Sequence, residues 1–207
     1  LGLVALNSIL VRLLVPISLI WFADRMALQA WGVFNILDMP FWIEVTACIL
    51  LMDLAIYAQH RLFHALPALW RLHRLHHADL DYDVTTGLRF HPVEILLSLA
   101  IKFALVALLG ASGLAVLIFE ILLNGMAIFN HANLRLPPRL DGILRGLVVT
   151  PDFHRVHHSV VPGETNSNFG FNLSFWDRLF GTYRPQPEAG QTGMVVGLNH
   201  FRDPEEL

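Results

Sequence analysis

Apolar residues in this chain of 207 arrive in long blocks rather than alternating with polar ones. Leu1 to Phe22 carries a single charge, Arg12; Phe41 to Ala58 carries Glu44 and Asp53; Ile95 to Leu109 carries Lys102; Leu114 to Phe129 carries Glu120. Runs of this kind read as membrane-spanning helices, because a helix satisfies its own backbone hydrogen bonds in hydrocarbon. The pattern predicts an all-α integral membrane bundle of about four transmembrane helices, over about 1–22, 41–60, 93–109 and 114–130, with a helical cap built from 60–91 and 131–207. The whole chain, 1–207, is expected to form a single membrane domain. At about 1.5 Å per residue the last two blocks reach only about 22 to 24 Å, short of a hydrocarbon core of about 30 Å. Either they extend through Phe90–Glu94 and Asn130, or they form a hairpin around Gly110–Gly113 that enters the bilayer without crossing; spanning is the expectation.

Prolines punctuate the polar segments. Pro67 should break the helix that follows the second block, since it lacks an N–H and disfavours helix at Leu66. Thr150 before Pro151 is an N-cap and first-turn signature, which predicts a short helix over Pro151–His158, stopped by Pro162 and Gly163. Pro92 suits the first turn of the third membrane helix, and Pro137 with Pro138 should end the fourth.

Composition removes the soluble alternative. Hydrophobic residues make up 55% and charged residues 15%, with a mean hydropathy of +0.53, whereas ordinary globular domains are about 25% charged. The first block has no basic stretch ahead of it and no small-residue cleavage site behind it, so it does not read as a signal peptide. Leu in place of an initiator Met reads as a fragment. The single cysteine, Cys48, excludes a disulfide framework, an iron–sulfur cluster and thiolate ligation, and reads as a small core residue. A net charge of -3 hides an asymmetry: of 14 Lys and Arg, eleven arginines from Arg61 to Arg202 lie in segments flanking one side of the blocks, and only Arg25 belongs to the opposite loop. The positive-inside rule then puts that side in the cytoplasm, on a bacterial inner membrane or endoplasmic reticulum. Because these arginines are interleaved with membrane spans, they mark topology rather than a nucleic-acid surface.

The chemistry sits in three histidine clusters on that same side. His60 and His64 form HRLFH, His73, His76 and His77 form HRLHH, and His154, His157 and His158 form HRVHH. On a helix, positions three and four apart share a face, so each cluster aims two or three imidazoles at one point. A lone histidine is usually a hydrogen-bonded structural residue. Three clusters with helical spacing on one side of a membrane have no comparable structural explanation. Eight imidazoles exceed the needs of one ion and fit a two-metal centre. His131, in NHANLRLP, reads as a ninth ligand; His91 before Pro92 is either a ligand or a cap; His200 reads as an ordinary surface residue. Nitrogen-ligated redox metals with open positions activate O2, whereas zinc acts as a Lewis acid, and affinity order alone favours zinc or copper over iron. No separate acid or base stands out. Asp53 either supports a ligand ring through Nδ1 or makes an interhelical polar contact; Glu120 and Lys102 read as a structural contact or as snorkelling groups.

These residues resemble the fatty acid hydroxylase and sterol desaturase superfamily of integral membrane oxygenases. The likeness runs over almost the whole chain: the three boxes HRLFH, HRLHH and HRVHH, then LRFHPVE at 88–94, NHANLRLP at 130–137, TPDFHRVHH at 150–158 and NFGFNLSFWDRLFGTY at 168–183. The resemblance implies two metal ions, usually taken as iron, that use O2 and two electrons to hydroxylate or desaturate a lipid C–H position. It implies His60, His64, His73, His76, His77, His154, His157 and His158 as ligands, His131 as an additional one, and structural roles for Asn168, Trp176 and Asp177. There is no room for the haem domain some members carry and no nucleotide-binding motif, so electrons are expected from a separate donor protein. The competing expectations are a non-redox zinc transporter or sensor and a degenerate member kept for lipid binding. Transporters usually hold ligands near the bilayer midplane, and these clusters sit at its boundary.

Overall fold

The computed structural model of the protein describes residues 2–15, 17–37 and 39–203; the first apolar block, expected over 1–22, therefore includes two positions outside the described residues. Helices account for the regular structure, and no strand occurs among the described residues beyond the isolated bridges Val148 with Leu173 and Ser159 with Val196. Among the described residues four stretches are long and apolar enough to cross a membrane: Gly2–Ile36, Phe41–Ala65, Pro92–Leu109 and Gly113–Asn130. They make this an integral membrane protein, as the apolar blocks predict.

The first stretch departs from a single helix. It is divided into α1 (Gly2–Leu14), α2 (Leu19–Leu28) and α3 (Val33–Ile36). The sequence supplies the reasons: Pro16 cannot donate a helical hydrogen bond, and Ser18 starts α2 as an N-cap, accepting from Trp21 N at 3.1 Å. α4 (Phe41–Ala65) is 25 residues, about 37 Å at about 1.5 Å per residue, and so exceeds a core of about 30 Å. α6 (Pro92–Leu109) and α7 (Gly113–Asn130) are 18 residues each. They gain length through the flanks the short blocks required, Pro92 to Glu94 on one and Asn130 on the other.

By internal packing the chain divides into Leu1–Ala55 with Pro92–Asn124, and Ile56–His91 with Gly125–Leu207. In the first unit α1, α2 and α3 pack on α6. Phe22 meets Phe103 edge-on at 5.0 Å, and Cys48, Met52, Val106 and Phe119 are fully buried. Large apolar side chains such as Leu13, Leu28, Trp42, Leu108 and Ile121 face outward, which suits contact with lipid better than with water. Several of its polar groups are paired. Asp24 Oδ1 accepts from Gly113 N at 3.1 Å and Glu44 Oε1 from Ser112 N at 2.8 Å, so two carboxylates cap the start of α7. Lys102 Nζ meets Glu120 Oε1 at 2.7 Å, making one ion pair of the two charges inside the third and fourth apolar blocks.

The second unit carries the histidines. α4 ends at Ala65, Leu66 takes an extended conformation (φ −101°, ψ 118°), and α5 (Pro67–His77) begins with Pro67 in its first turn, as a pre-proline residue requires. α9 (Pro151–His157) starts from Thr150, whose Oγ1 accepts from Phe153 N at 3.4 Å and donates to Asp141 Oδ1 at 2.6 Å. Two proline expectations are corrected. α7 already ends at Asn130, and Pro138 opens α8 (Pro138–Leu144); α9 ends at His157, and Pro162 opens α10 (Pro162–Thr165). In both places proline sits at the first helical position, where its missing N–H costs nothing. The short helices α11 (Phe175–Leu179) and α12 (Gly190–Gly193) complete the unit.

Candidate metal centre

Nine imidazoles converge in two groups inside the second unit. His60, His64, His73, His77 and His157 form one, His76, His131, His154 and His158 the other, and within each group one nitrogen per residue lies within 4.8 Å of all the rest. Each group draws on separate segments. α4, α5 and α9 supply the first; α5, the end of α7 and the region of α9 supply the second. Neighbours in sequence thereby serve different groups: His76 and His77 diverge, as do His157 and His158, because adjacent helical positions point about 100° apart. All nine are buried except His64, which is half-buried. Of the remaining histidines, His91 is half-buried and belongs to neither group, and His200 is exposed.

Backbone carbonyls fix the rings. His60 Nδ1 bonds Phe169 O at 2.9 Å, His157 Nδ1 bonds Ser167 O at 2.8 Å, His76 Nδ1 bonds Thr86 O at 2.9 Å, and His131 Nδ1 bonds Ala127 O at 2.7 Å. A carbonyl only accepts, so each of these Nδ1 atoms carries the proton and each Nε2 presents a lone pair. That is the arrangement of a ligating histidine held by its other nitrogen.

The same logic tests whether a metal fits. His131 Nε2 lies 3.2 Å from His76 Nε2 and 3.1 Å from His154 Nε2. With both Nδ1 atoms protonated, the His76 and His131 lone pairs face each other without a proton to share, and a cation between them removes the conflict. Metal–nitrogen bonds of about 2.0–2.1 Å place neighbouring ligand nitrogens about 2.9 Å apart at a right angle and about 3.4 Å apart at the tetrahedral angle. The observed separations fall inside that range. Elsewhere His60 Nε2, His64 Nε2 and His157 Nε2, and both ring nitrogens of His77 and His158, are buried without a hydrogen bond. Each such group costs about 1–3 kcal/mol, so together they rival the whole stability of a domain, about 5–15 kcal/mol. Bound metal would offset that cost.

Burial also keeps the rings neutral. It lowers the pKa of His76, His77, His154, His157 and His158 well below the usual histidine range, with neighbouring imidazoles adding to the effect, and takes His131 down to about 4 against the pull of the Ala127 carbonyl. Neutral imidazole is the ligating form.

Aromatic side chains wall the groups. Phe90 stacks on His76 at 4.5 Å, Phe169 presents its ring to His60, His64 and His157 at 5.2–5.6 Å, and Tyr82 packs on His158 at 4.9 Å while its hydroxyl donates to Asn130 O at 2.8 Å. A cavity of about 270 Å³ opens beside His64, lined by Trp70, Asn166, Asn199 and His200. Spacing of histidines does not reveal these residues. Phe90 and Phe169 do lie in the LRFHPVE and NFGFN stretches, but the carbonyls of Thr86, Ala127 and Ser167 have no side-chain signature.

A helical membrane protein with two buried polyhistidine groups is thus defined, and its family follows from comparison. The family model for fatty acid hydroxylases matches residues 45–182, and the chain belongs to that family. It is similar to the ornithine lipid hydroxylase OlsE of Rhizobium tropici, 33% identical over 76% of this chain and 46% of the relative. Alkylglycerol monooxygenase of Xenopus tropicalis is 30% identical over 83% of this chain and 38% of the relative, and cholesterol 25-hydroxylase of Rattus norvegicus 30% over 70% and 48%. The chain thus spans less than half the length of these relatives. No solved structure matches it.

Proposed function

We propose that the protein is a membrane-bound dimetal, O2-dependent oxidoreductase that hydroxylates or desaturates a lipid C–H position, with the nine grouped histidines as ligands and iron as the working metal. The observation that carries this reading is the pair of converging imidazole groups, in which His60 Nε2, His157 Nε2 and both ring nitrogens of His77 and His158 are buried without a hydrogen bond, in a chain of the fatty acid hydroxylase family. Its relatives are named for an ornithine lipid, an alkylglycerol and cholesterol. We extend to this chain only their shared class, a membrane lipid.

When bound, a redox-active metal pair supplies O2 activation and C–H cleavage. The chain's own residues bind and aim. Phe169 O, Ser167 O, Thr86 O and Ala127 O hold Nδ1 protons so that Nε2 atoms point inward. Phe90, Phe169 and Tyr82 exclude water from the rings. Hydroxylation consumes O2, two electrons and two protons per lipid and releases one water; desaturation releases two. Both need an external reductant, which we assign to a separate electron-donor protein. The arginine-rich segments support a cytoplasmic site. A zinc transporter or sensor is disfavoured, because the relatives are hydroxylases and monooxygenases.

The test combines metal analysis with O2 uptake and lipid mass spectrometry on purified protein supplied with an artificial reductant. Two ions per chain and oxidised lipid are expected, with at least about a 100-fold loss in His76→Ala and His157→Ala, in line with the loss of a ligand or its support. Full oxygenase activity in either variant refutes the assignment.

A further inference from the structure

Two of the carbonyls that orient the five-imidazole group come from one short strap. Ser167 O bonds His157 and Phe169 O bonds His60. The strap is itself held by Asp177, which is fully buried. Its Oδ1 accepts from Phe169 N at 2.7 Å and its Oδ2 from Gly170 N at 2.7 Å. Thr182 Oγ1 donates to Oδ1 at 2.7 Å and, with that proton committed, accepts from Tyr57 Oη at 2.8 Å. Only glycine fits at 170: an added Cβ would lie 2.7 Å from Asp177 Oδ2 and 2.8 Å from Leu173 O. Asn168 between the two carbonyls has φ +53°, and its amide donates to Phe153 O at 2.9 Å and Arg184 O at 2.8 Å.

The four-imidazole group hangs on a different segment. His76 is aimed by Thr86 O, and Thr86 Oγ1 donates to Asp79 Oδ2 at 2.7 Å. A Cβ on the adjacent Gly87 would sit 2.7 Å from Ala127 O and 3.0 Å from His131 Nδ1, the pair that aims His131.

We propose that Asp177 is a positioning residue for one metal only: through the 167–170 strap it sets the aim of His60 and His157, while the Asp79-held turn at 83–87 sets the four-imidazole group independently. The inference rests on the two-metal reading above and assigns Asp177 a role in a single site, where a general structural role would affect both.

Cobalt(II) alone is the probe, titrated into the full metal-free chain in detergent and followed by its visible absorption and by metal content after dialysis against graded chelator. Wild type takes up two ions. Asp177→Asn, whose NH2 must face one of two N–H donors, keeps one ion tightly and loses about 10–100-fold in affinity for the other. Its residual spectrum matches that of His157→Ala. Gly87→Ala does the reverse, and its residual spectrum matches His158→Ala. Thr182→Val removes a single hydrogen bond to the carboxylate and weakens the same site as Asp177→Asn by a smaller factor, so it decides the matter where Asp177→Asn does not fold. Uptake of fewer than two ions by wild type overturns the two-metal reading and the inference with it. Two ions in wild type with both sites or neither weakened by Asp177→Asn, or by Thr182→Val, overturns the inference alone.

Discussion

Acid should unfold the metal-free protein at a pH where ordinary membrane helices are indifferent. His131 titrates near 4 in the folded chain because burial disfavours its charged form, and near 6.5 when unfolded. The unfolded state therefore binds the proton first, and stability present above about pH 6.5 is lost as pH falls toward 4. At pH 5.5 His131 alone contributes a loss of about 1.4 kcal/mol. His76, His77, His154, His157 and His158 are shifted in the same direction by the same cause. Their losses add with the same sign, against a total of about 5–15 kcal/mol. The assay is thermal unfolding of chelator-treated protein in detergent from pH 7.5 to 5.5, read by fluorescence of Trp70, whose ring lies 4.9 Å from His64 and 5.3 Å from His77. The midpoint should fall steeply below pH 6.5, and metal-loaded protein should resist until its ions leave. A midpoint in the metal-free protein that stays flat to pH 5.5 would refute the claim that these rings are held neutral by burial.

Three further outcomes are expected. Lys102→Met strands Glu120 in an apolar helix and should cost about 3 kcal/mol, most of it recovered in Lys102→Met with Glu120→Leu; simple addition of the two losses in denaturant melts would exclude the pair. Gly32→Ala would put a Cβ 2.2 Å from Gly110 N at φ +95°, and should lose about 3 kcal/mol or more, visible as reduced recovery of monodisperse protein. Thr150→Ala removes the N-cap of α9 and should cost about 1–2 kcal/mol in a thermal melt, while lowering metal uptake by both groups, since α9 and its cap residue serve each.

What the sequence made legible followed from long apolar runs and helical histidine spacing, both of which are local. The four spans and the helices of the second and third clusters were readable because hydropathy, Pro67 and Thr150–Pro151 act on their immediate neighbours. The first block is a span as its composition predicts, and only its division into α1, α2 and α3 is not apparent from hydropathy, because Pro16 and Ser18 sit within an apolar run. Pro138 and Pro162 were read as stops, yet proline marks starts equally well, and only the preceding helix ends at Asn130 and His157 decide between the two. Spacing brought nine histidines to one region but could not divide them. The division of His76 from His77, and of His157 from His158, depends on which partners each ring meets from other segments. That information is tertiary.

The orienting groups explain why so little of the site's support was visible. Four Nδ1 contacts that fix a tautomer run to main-chain carbonyls, on Thr86, Ala127, Ser167 and Phe169. Carboxylates act one step further out: Asp79 holds Thr86, and Asp177 holds Phe169 and Gly170. A carboxylate bonded directly to a ligand ring would pass negative charge to the metal and make it harder to reduce. A neutral carbonyl fixes the ring without that transfer. At these four rings of the proposed centre the cationic charge would then be retained within a buried pocket.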